Sequence, residues 1–395
     1  MNIIPEDLLS HLSQTTSVDY YTKVLHGKKM FYLLMYGILE NDRLSQRTLE
    51  DTFNDSLFKT LFNLEQDESV RRSSISERLG KIDSDYFRRI YEYVYVQFSE
   101  HYLEKDRRRY NITRVDSTMI SDTTGRLIEG MDQNGVKKVV KYSMAFDGIL
   151  PCDSKVFTSS GYINEDMALP EVVHSHIKKQ SDHTNLYVLD RGLQSARNMQ
   201  NFSNQKIAFI ARIKENRKYV ELESLLSKQT ETDLGTLTLI SDSKVYLYAT
   251  QSITNKRGNV HKKQVLIEEP FRLIVTKSKD GKDEQYWFVT NDFELSAKEV
   301  CHYYKQRWDI EVFFRFIKQE LNTSHLISLN KNGIQVMLYM TLIVAMLVLI
   351  YKRINSIGYK TAKRRFAMEV RNLTIALIVT LCGGNPELFF KMKKE

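Results

Sequence analysis

The chain has 395 residues, 42% of them apolar and 11% aromatic, with 57 basic against 49 acidic side chains and a net charge of +8. That length and composition accommodate two or three domains with a buried core and exclude a disordered chain, while the modest basic excess favours a polyanionic partner without establishing one. Cys152, Cys301 and Cys382 lie far apart with no CxxC spacing, which supports neither a disulfide framework nor a cysteine zinc site and fits a reducing cytoplasm.

The first stretch, "MNIIPEDLLSHLSQ", carries acids where a signal peptide needs a basic region and then an apolar one, so a cytoplasmic protein is expected. Residues 1–110 are nearly free of proline and glycine and read as helical. Ser74 with Glu77 three positions on predicts a capping box opening a short helix. Phe87, Ile90, Tyr91, Val94 and Phe98 then recur at helical spacing. Short helices with Arg71, Arg72, Arg78 and Lys81 nearby suit a helix-turn-helix reader of DNA; an ordinary helical bundle fits the same residues. Further basic runs stand at Arg107–Arg109, at "NKRGNVHKK" (255–263), at "YKTAKRR" (359–365) and in the terminal "KMKKE".

From 111 the pattern turns to strands, "YNITRVDST", "VVKYSMAFDG" and "ILPCDSKVFTS", which predict a meander. The helical "NEDMALPEVVHSHIKKQS", the apolar run "NLYVLDRGL", a helix near 193–202 and the strand "KIAFIARIK" follow. Strands followed by alternating helix and strand predict an α/β fold, a mixed sheet flanked by helices. Residues 214–290 are mostly β again, with "GTLTLI", "KVYLYAT", "KQVLI", "FRLIVT" and "QYWFVT" between polar turns, and read as a β-rich insertion. The expected organisation is therefore a helical domain over 1–110, a core over 111–213, the insertion over 214–290, a second core segment over 291–355 and a helical end over 356–395.

The second core segment opens with "YYKQRWDIEVFFRFIKQEL" (303–321). On one helix at about 100° per residue, Tyr304, Arg307, Glu311 and Lys318 fall within a sector of roughly 60°. A carboxylate flanked by cations suits a metal ion and a phosphate chain, although a solvated charged face has the same pattern. The apolar run Val336 to Tyr351 spans about 24 Å as a helix, short of the ~30 Å hydrocarbon layer, and reads as a core helix with no membrane partner.

Asp116 in "RVDST" and Asp190 in "YVLDRG" each sit in or at the end of an apolar strand, where an unpaired carboxylate costs several kcal/mol. If the two strands are neighbours, the carboxylates meet at one edge and Glu311 adds a third oxygen donor. Such a set suits Mg²⁺ or Mn²⁺ rather than Zn²⁺, and two ions ~4 Å apart support phosphodiester displacement. His174, His176 and His183 lack a carboxylate or cysteine at a typical spacing to complete a metal site. Asp122 and Asp147 lie close to Asp116 in sequence but in less apolar strands. His325 would extend the stripe only if the helix ran through "NTSHL", which reads as a helix end.

The series Tyr304-x2-Arg307-x3-Glu311-x6-Lys318, preceded by "RVDST" and "YVLDRG", resembles the Tyr-Arg-Glu-Lys signature and two aspartate motifs of bacterial insertion-sequence transposases, over about residues 111–351. The resemblance implies an RNase H-like DDE domain in which Asp116, Asp190 and Glu311 bind two Mg²⁺ or Mn²⁺ ions and catalyse cleavage and strand transfer. Tyr304, Arg307 and Lys318 would hold phosphates at the element's terminus. Trp287, or alternatively Tyr286, would stack on a flipped base, and Arg212 and Lys214 could line the DNA channel. The implied course is cut-and-paste transposition by a homodimer that pairs two terminal inverted repeats and inserts them into target DNA. A nuclease or resolvase without strand transfer, or an inactive DNA-binding relic, would keep the same triad or fold.

Overall fold

A computed structural model of the chain describes residues 4–103, 110–122, 125–127, 129–133, 137–179, 184–227, 231–254, 260–281 and 284–391. Arg107–Arg109, His183, residues 255–259 of the central basic run and residues 392–395 lie outside the described residues. In chain order the structure has α1 (Glu6–Thr16), α2 (Gly27–Glu40), α3 (Gln46–Asn54), α4 (Ser56–Leu61), α5 (Arg72–Lys81) and α6 (Ser84–Leu103). Strands β1 (Asn111–Ser121), β2 (Met131–Gln133), β3 (Lys137–Phe146) and β4 (Pro151–Phe157) follow, then α7 (Glu165–Lys178), β5 (Asn185–Leu189), α8 (Ala196–Asn204) and β6 (Ala208–Ile213). Next come β7 (Tyr219–Ser224), β8 (Leu237–Thr254), β9 (Val260–Leu266), β10 (Phe271–Ser278) and β11 (Gln285–Thr290). The chain closes with α9 (Ala297–Lys305), α10 (Trp308–Glu320), α11 (Lys331–Asn355), α12 (Tyr359–Leu381) and α13 (Pro386–Lys391). Contacts divide it into two compact units, one of Met1–Lys105, Met119–Val140 and Phe313–Glu395, the other of Asp106–Thr118 and Lys141–Val312.

The first unit is built around α11. This is the one described helix long and apolar enough to cross a membrane, yet every residue from Val336 to Ile350 except Tyr339 is buried, and α2, α5, α6 and α12 pack around it. A helix apolar on all sides needs that cover. Phe87, Ile90, Tyr91 and Val94 of α6 are buried as their spacing predicts. The capping box expected at Ser74 is not formed. α5 starts earlier, at Arg72, whose N–H donates to the Glu50 carboxylate at 3.1 Å, and Glu77 instead pairs with Lys81 one turn on. Capping boxes stand at Ser45 with Thr48, opening α3, and at Ser296 with Glu299, opening α9.

The second unit carries a mixed sheet. Strand β1 lies beside β5 and β5 beside β6, both parallel. On the other side of β1 stands β3, which pairs antiparallel with β4. Helices α7 and α8 make the crossovers that parallel strands require. Antiparallel strands joined to parallel ones, with helices on the sheet, make the mixed α/β sheet flanked by helices that the sequence predicts. The strands from 219 to 290 continue this sheet: β11 pairs with β6, β10 with β11, β8 with β10, and β7 and β9 with β8.

"GTLTLI" and "KVYLYAT", separated in sequence by "SDS", form the single strand β8. The polar break is no turn because Asp242 is buried and accepts two hydrogen bonds from the Arg272 guanidinium, at 2.8 and 2.7 Å. One face of the sheet, from Leu186, Val188, Ile210, Ile274 and Phe288, buries against Val300, Cys301 and Tyr303 of α9. Alternation along β5 turns Tyr187 and Leu189 to the other face.

Candidate active site

Pairing between β1 and β5 puts Val115 opposite Leu189, so Asp116 and Asp190 follow at the same level on adjacent strands. Their carboxylates come from the middle of β1 and from the residue that follows β5, and α10 brings Glu311. All three surround one guanidinium. Arg307 Nη1 donates to Asp116 Oδ2 at 3.0 Å, its Nη2 donates to Glu311 Oε1, and its Nε lies 3.8 Å from Asp190 Oδ1. The side chain of Asp116 is 13% exposed, against 37% for Asp190 and 30% for Glu311.

Three carboxylates around one cation leave an excess of negative charge. Burial, reinforced by Asp190, pushes the Asp116 carboxyl up to about 7 even though Arg307 pulls the other way. Burial opposes the charge on Arg307, but Asp190, Tyr304 and Asp116 together with the bond to Glu311 outweigh it and hold its pKa above the ordinary value. The Arg307 Nε is nonetheless buried with no hydrogen-bond partner. The guanidinium therefore matches the acids incompletely. An all-oxygen donor set with surplus negative charge and a poorly matched counter-ion fits a hard divalent cation, although among the described residues no group of three such side chains is arranged to hold one while Arg307 stands between them.

The segment that carries Arg307 is not one helix, as the wheel assumed. It breaks at Gln306 and Arg307 between α9 and α10, where Arg307 N–H donates to the Tyr304 carbonyl and Ile310 N–H to the Arg307 carbonyl, i to i−3. Arg114 supplies the reason. Its buried guanidinium donates to the Gln306 carbonyl at 3.2 Å, to Gln306 Oε1 at 2.9 Å and to Asp309 Oδ2 at 3.1 Å, and also to the carbonyls of Ile112 and Asp147. A Cβ at Gly148, which has φ +101°, would lie 2.6 Å from that guanidinium. Strand β1 thus holds both Asp116 and, through Arg114, the start of the helix bearing Glu311.

Tyr304 lies in the last turn of α9 with its ring 4.8 Å from Phe288 and 5.8 Å from the Arg307 guanidinium, and burial raises its hydroxyl to about 12. Tyr286 occupies the same face of β11 as Phe288, with Arg212 stacked 4.4 Å above its ring. Trp287 points to the opposite face, where it meets Tyr219 and donates to Gln285. Arg212 also reaches Glu284 at 3.3 Å. Lys214 lines a groove of about 260 Å³ with Gln194, Arg217, Lys218, Tyr248 and Gln264. Within the first unit, Lys318 donates to the Met119 carbonyl at 3.1 Å, and burial lowers its pKa.

The remaining candidates have other partners. His176 Nδ1 hydrogen-bonds the Tyr187 hydroxyl at 2.9 Å and His174 packs edge-on to Phe202. Asp147 accepts from the N–H groups of Ile149 and Leu150 in its own turn, and Asp122 from that of Leu127. His325 contacts the Leu44 carbonyl beyond the end of α10, consistent with a helix end at "NTSHL". Arg114, Lys141 and Glu165, which tie the site to the sheet, were not singled out in the sequence. A charged residue inside an apolar strand is a signal for the first two; Glu165 has none.

The family model described as transposase DDE domain matches residues 107–347. A protein of Geobacillus stearothermophilus named "Probable transposase for insertion sequence element IS5377" is 25% identical over 266 residues, 66% of this chain and 62% of its own length. A Synechocystis protein named as a transposase for insertion sequence element IS4SA is 24% identical over 344 residues, 86% of this chain and 85% of its own. The chain thus spans a little under two thirds of the first of these relatives. Among solved structures, a piggyBac transposase in a synaptic complex with hairpin DNA aligns with 96% of this chain and 80% of its own, at 11% identity and a TM-score of 0.47.

Proposed function

Since the chain belongs to the transposase DDE domain family, we propose that it cuts DNA at the ends of an insertion sequence and joins those ends to target DNA. The observation that carries the reading is the convergence of Asp116, Asp190 and Glu311, from three separate elements, on Arg307. Magnesium or manganese ions, held by these carboxylates, would supply activation of the attacking hydroxyl and charge stabilisation at the leaving oxygen. Binding there requires Arg307 to leave the carboxylates. Its fork then suits a phosphate of the bound strand, a bidentate match that lysine cannot reproduce.

Tyr304 is held by Phe288 close to Arg307, and its hydroxyl, neutral at physiological pH, donates a hydrogen bond to a phosphate oxygen. Lys318 adds a point charge for the backbone. Tyr286, on the Tyr304 face and capped by Arg212, is a better stacking platform for an unpaired base than Trp287. Lys214 continues the cationic wall. In this reading the helical amino-terminal region recognises terminal inverted repeats, two copies pair two ends, and the protein works in the cytoplasm on chromosomal DNA.

The test is strand cleavage and joining with Mg²⁺ or Mn²⁺ on DNA carrying the sequences that flank this gene, comparing wild type with Glu311→Gln. Joined products that disappear in the variant support the proposal. Cleavage without joining replaces it with a nuclease, and binding without cleavage in either protein replaces it with a DNA-binding relic.

A further inference from the structure

Two of the three carboxylates stand side by side, Asp116 within β1 and Asp190 just after β5, and the first turn of α7 touches the chain beside each. Next to Asp116, Ser117 donates its N–H to Asp116 Oδ1 and its hydroxyl to Glu165 Oε2, both at 2.7 Å. Beside Asp190, a Cβ at Gly192 would lie 2.5 Å from Glu165 Cγ, so the same glutamate packs on the backbone of the turn after Asp190. Asp166 accepts from the N–H groups of Gln194 and Ser195 in that turn, at 2.7 Å each. One pair of acids therefore holds the chain beside both aspartates.

Glu165 is itself anchored by a lysine that is unusual for its place. Lys141 belongs to β3, its side chain is wholly buried, and Nζ donates to Glu165 Oε1 at 2.9 Å and to the Ile163 carbonyl at 2.6 Å. Ion pairs of this kind are often no more stabilising than apolar side chains of equal volume. What the pair supplies instead is direction: a fixed carboxylate pointing at Ser117 and lying against Gly192.

We propose that Glu165, held by Lys141, is a positioning residue that sets the separation and orientation of Asp116 and Asp190. Its effect on catalysis rests on the transposase reading; its effect on local order does not. Glu165 touches no reacting atom and acts through Ser117 and the 190–195 turn. Supporting side chains of this type commonly change metal affinity or activity by about 10–100-fold when removed.

The test uses the full chain with Glu165→Gln and Lys141→Met combined, which removes the pair without leaving a buried charge, alongside Ser117→Ala and Ser117→Thr. Amide hydrogen exchange, Mn²⁺ affinity in the absence of DNA, and cleavage rate against Mn²⁺ concentration are measured on each. The expected result is exchange about 10-fold faster around 115–118 and 190–195 only, Mn²⁺ affinity lowered about 10–100-fold and an unfolding midpoint near wild type, with wild-type behaviour kept in Ser117→Thr and lost in Ser117→Ala. Unchanged exchange at 115–118 and 190–195, or changes that simply follow global stability, overturns the proposal. Should the combined variant fail to fold, the two Ser117 variants decide by the same readouts. If wild type neither binds Mn²⁺ nor cleaves DNA, the transposase reading fails, and local exchange alone still judges the clamp.

Discussion

Arg272 and Arg307 both meet acids in the second unit, with opposite charge balance. Arg272 joins β10 to β8 through Asp242, one guanidinium to one carboxylate, with the side chains only 8% and 3% exposed. Arg307 faces three carboxylates, leaves its Nε unsatisfied, and sits where Asp190 and Glu311 remain open to solvent. The closed pair satisfies its own charges and can only be a strut. The open cluster has charge left over for something to bind, and that surplus, rather than burial, is what distinguishes it from the strut.

The largest expected effects come from the open cluster. Asp116→Asn, Asp190→Asn or Glu311→Gln is expected to lower cleavage by on the order of 10³-fold or more while the protein stays folded; single-turnover assays check this, and activity retained in any of them would remove that residue from the site. The strut behaves in the opposite way. Arg272→Met alone should destabilise the second unit by about 3–5 kcal/mol by stranding Asp242, whereas Arg272→Met with Asp242→Leu should be close to neutral, as read by urea unfolding.

A third buried group sharpens the contrast because it is closed and neutral. Burial lowers His176 to about 4, below its ordinary value of about 6.5, so the unfolded chain takes up the proton first as pH falls. Its stabilising contribution is present above pH ~6.5 and declines toward pH ~4 by about 3 kcal/mol; His176→Gln should flatten that part of the acid limb in denaturation curves. The smallest effect tests the surplus charge. Without metal, Asp116→Asn relieves repulsion and should raise stability by about 1 kcal/mol, while Asp242→Asn at the strut should lower it. Equal signs in the two variants would break the comparison.

Much of the candidate site could be read in the sequence. Asp116 and Asp190 stood out as charges in apolar strands, and the Tyr-Arg-Glu-Lys spacing marked the segment from α9 to α10 that accompanies them. Helix α11 was legible as a core element from its length. The break between α9 and α10 was not, because it depends on Arg114 reaching Gln306 from a strand 192 residues earlier in the chain. The continuous strand β8 was hidden for the same reason: "SDS" has the composition of a turn until Arg272 neutralises Asp242.

By itself the sequence determined the element types, the two acid-bearing strands and the residue set of the signature, since these follow from local periodicity and from charges placed where burial forbids them unpaired. Only the tertiary structure decided that Arg307 stands among the three carboxylates, that Tyr286 rather than Trp287 shares the face of Tyr304, and that Lys141 and Glu165 tie β1 to the turn after Asp190. Those outcomes depend on strand register and on side chains far apart in the chain. A periodicity of two or 3.6 residues carries no information about either.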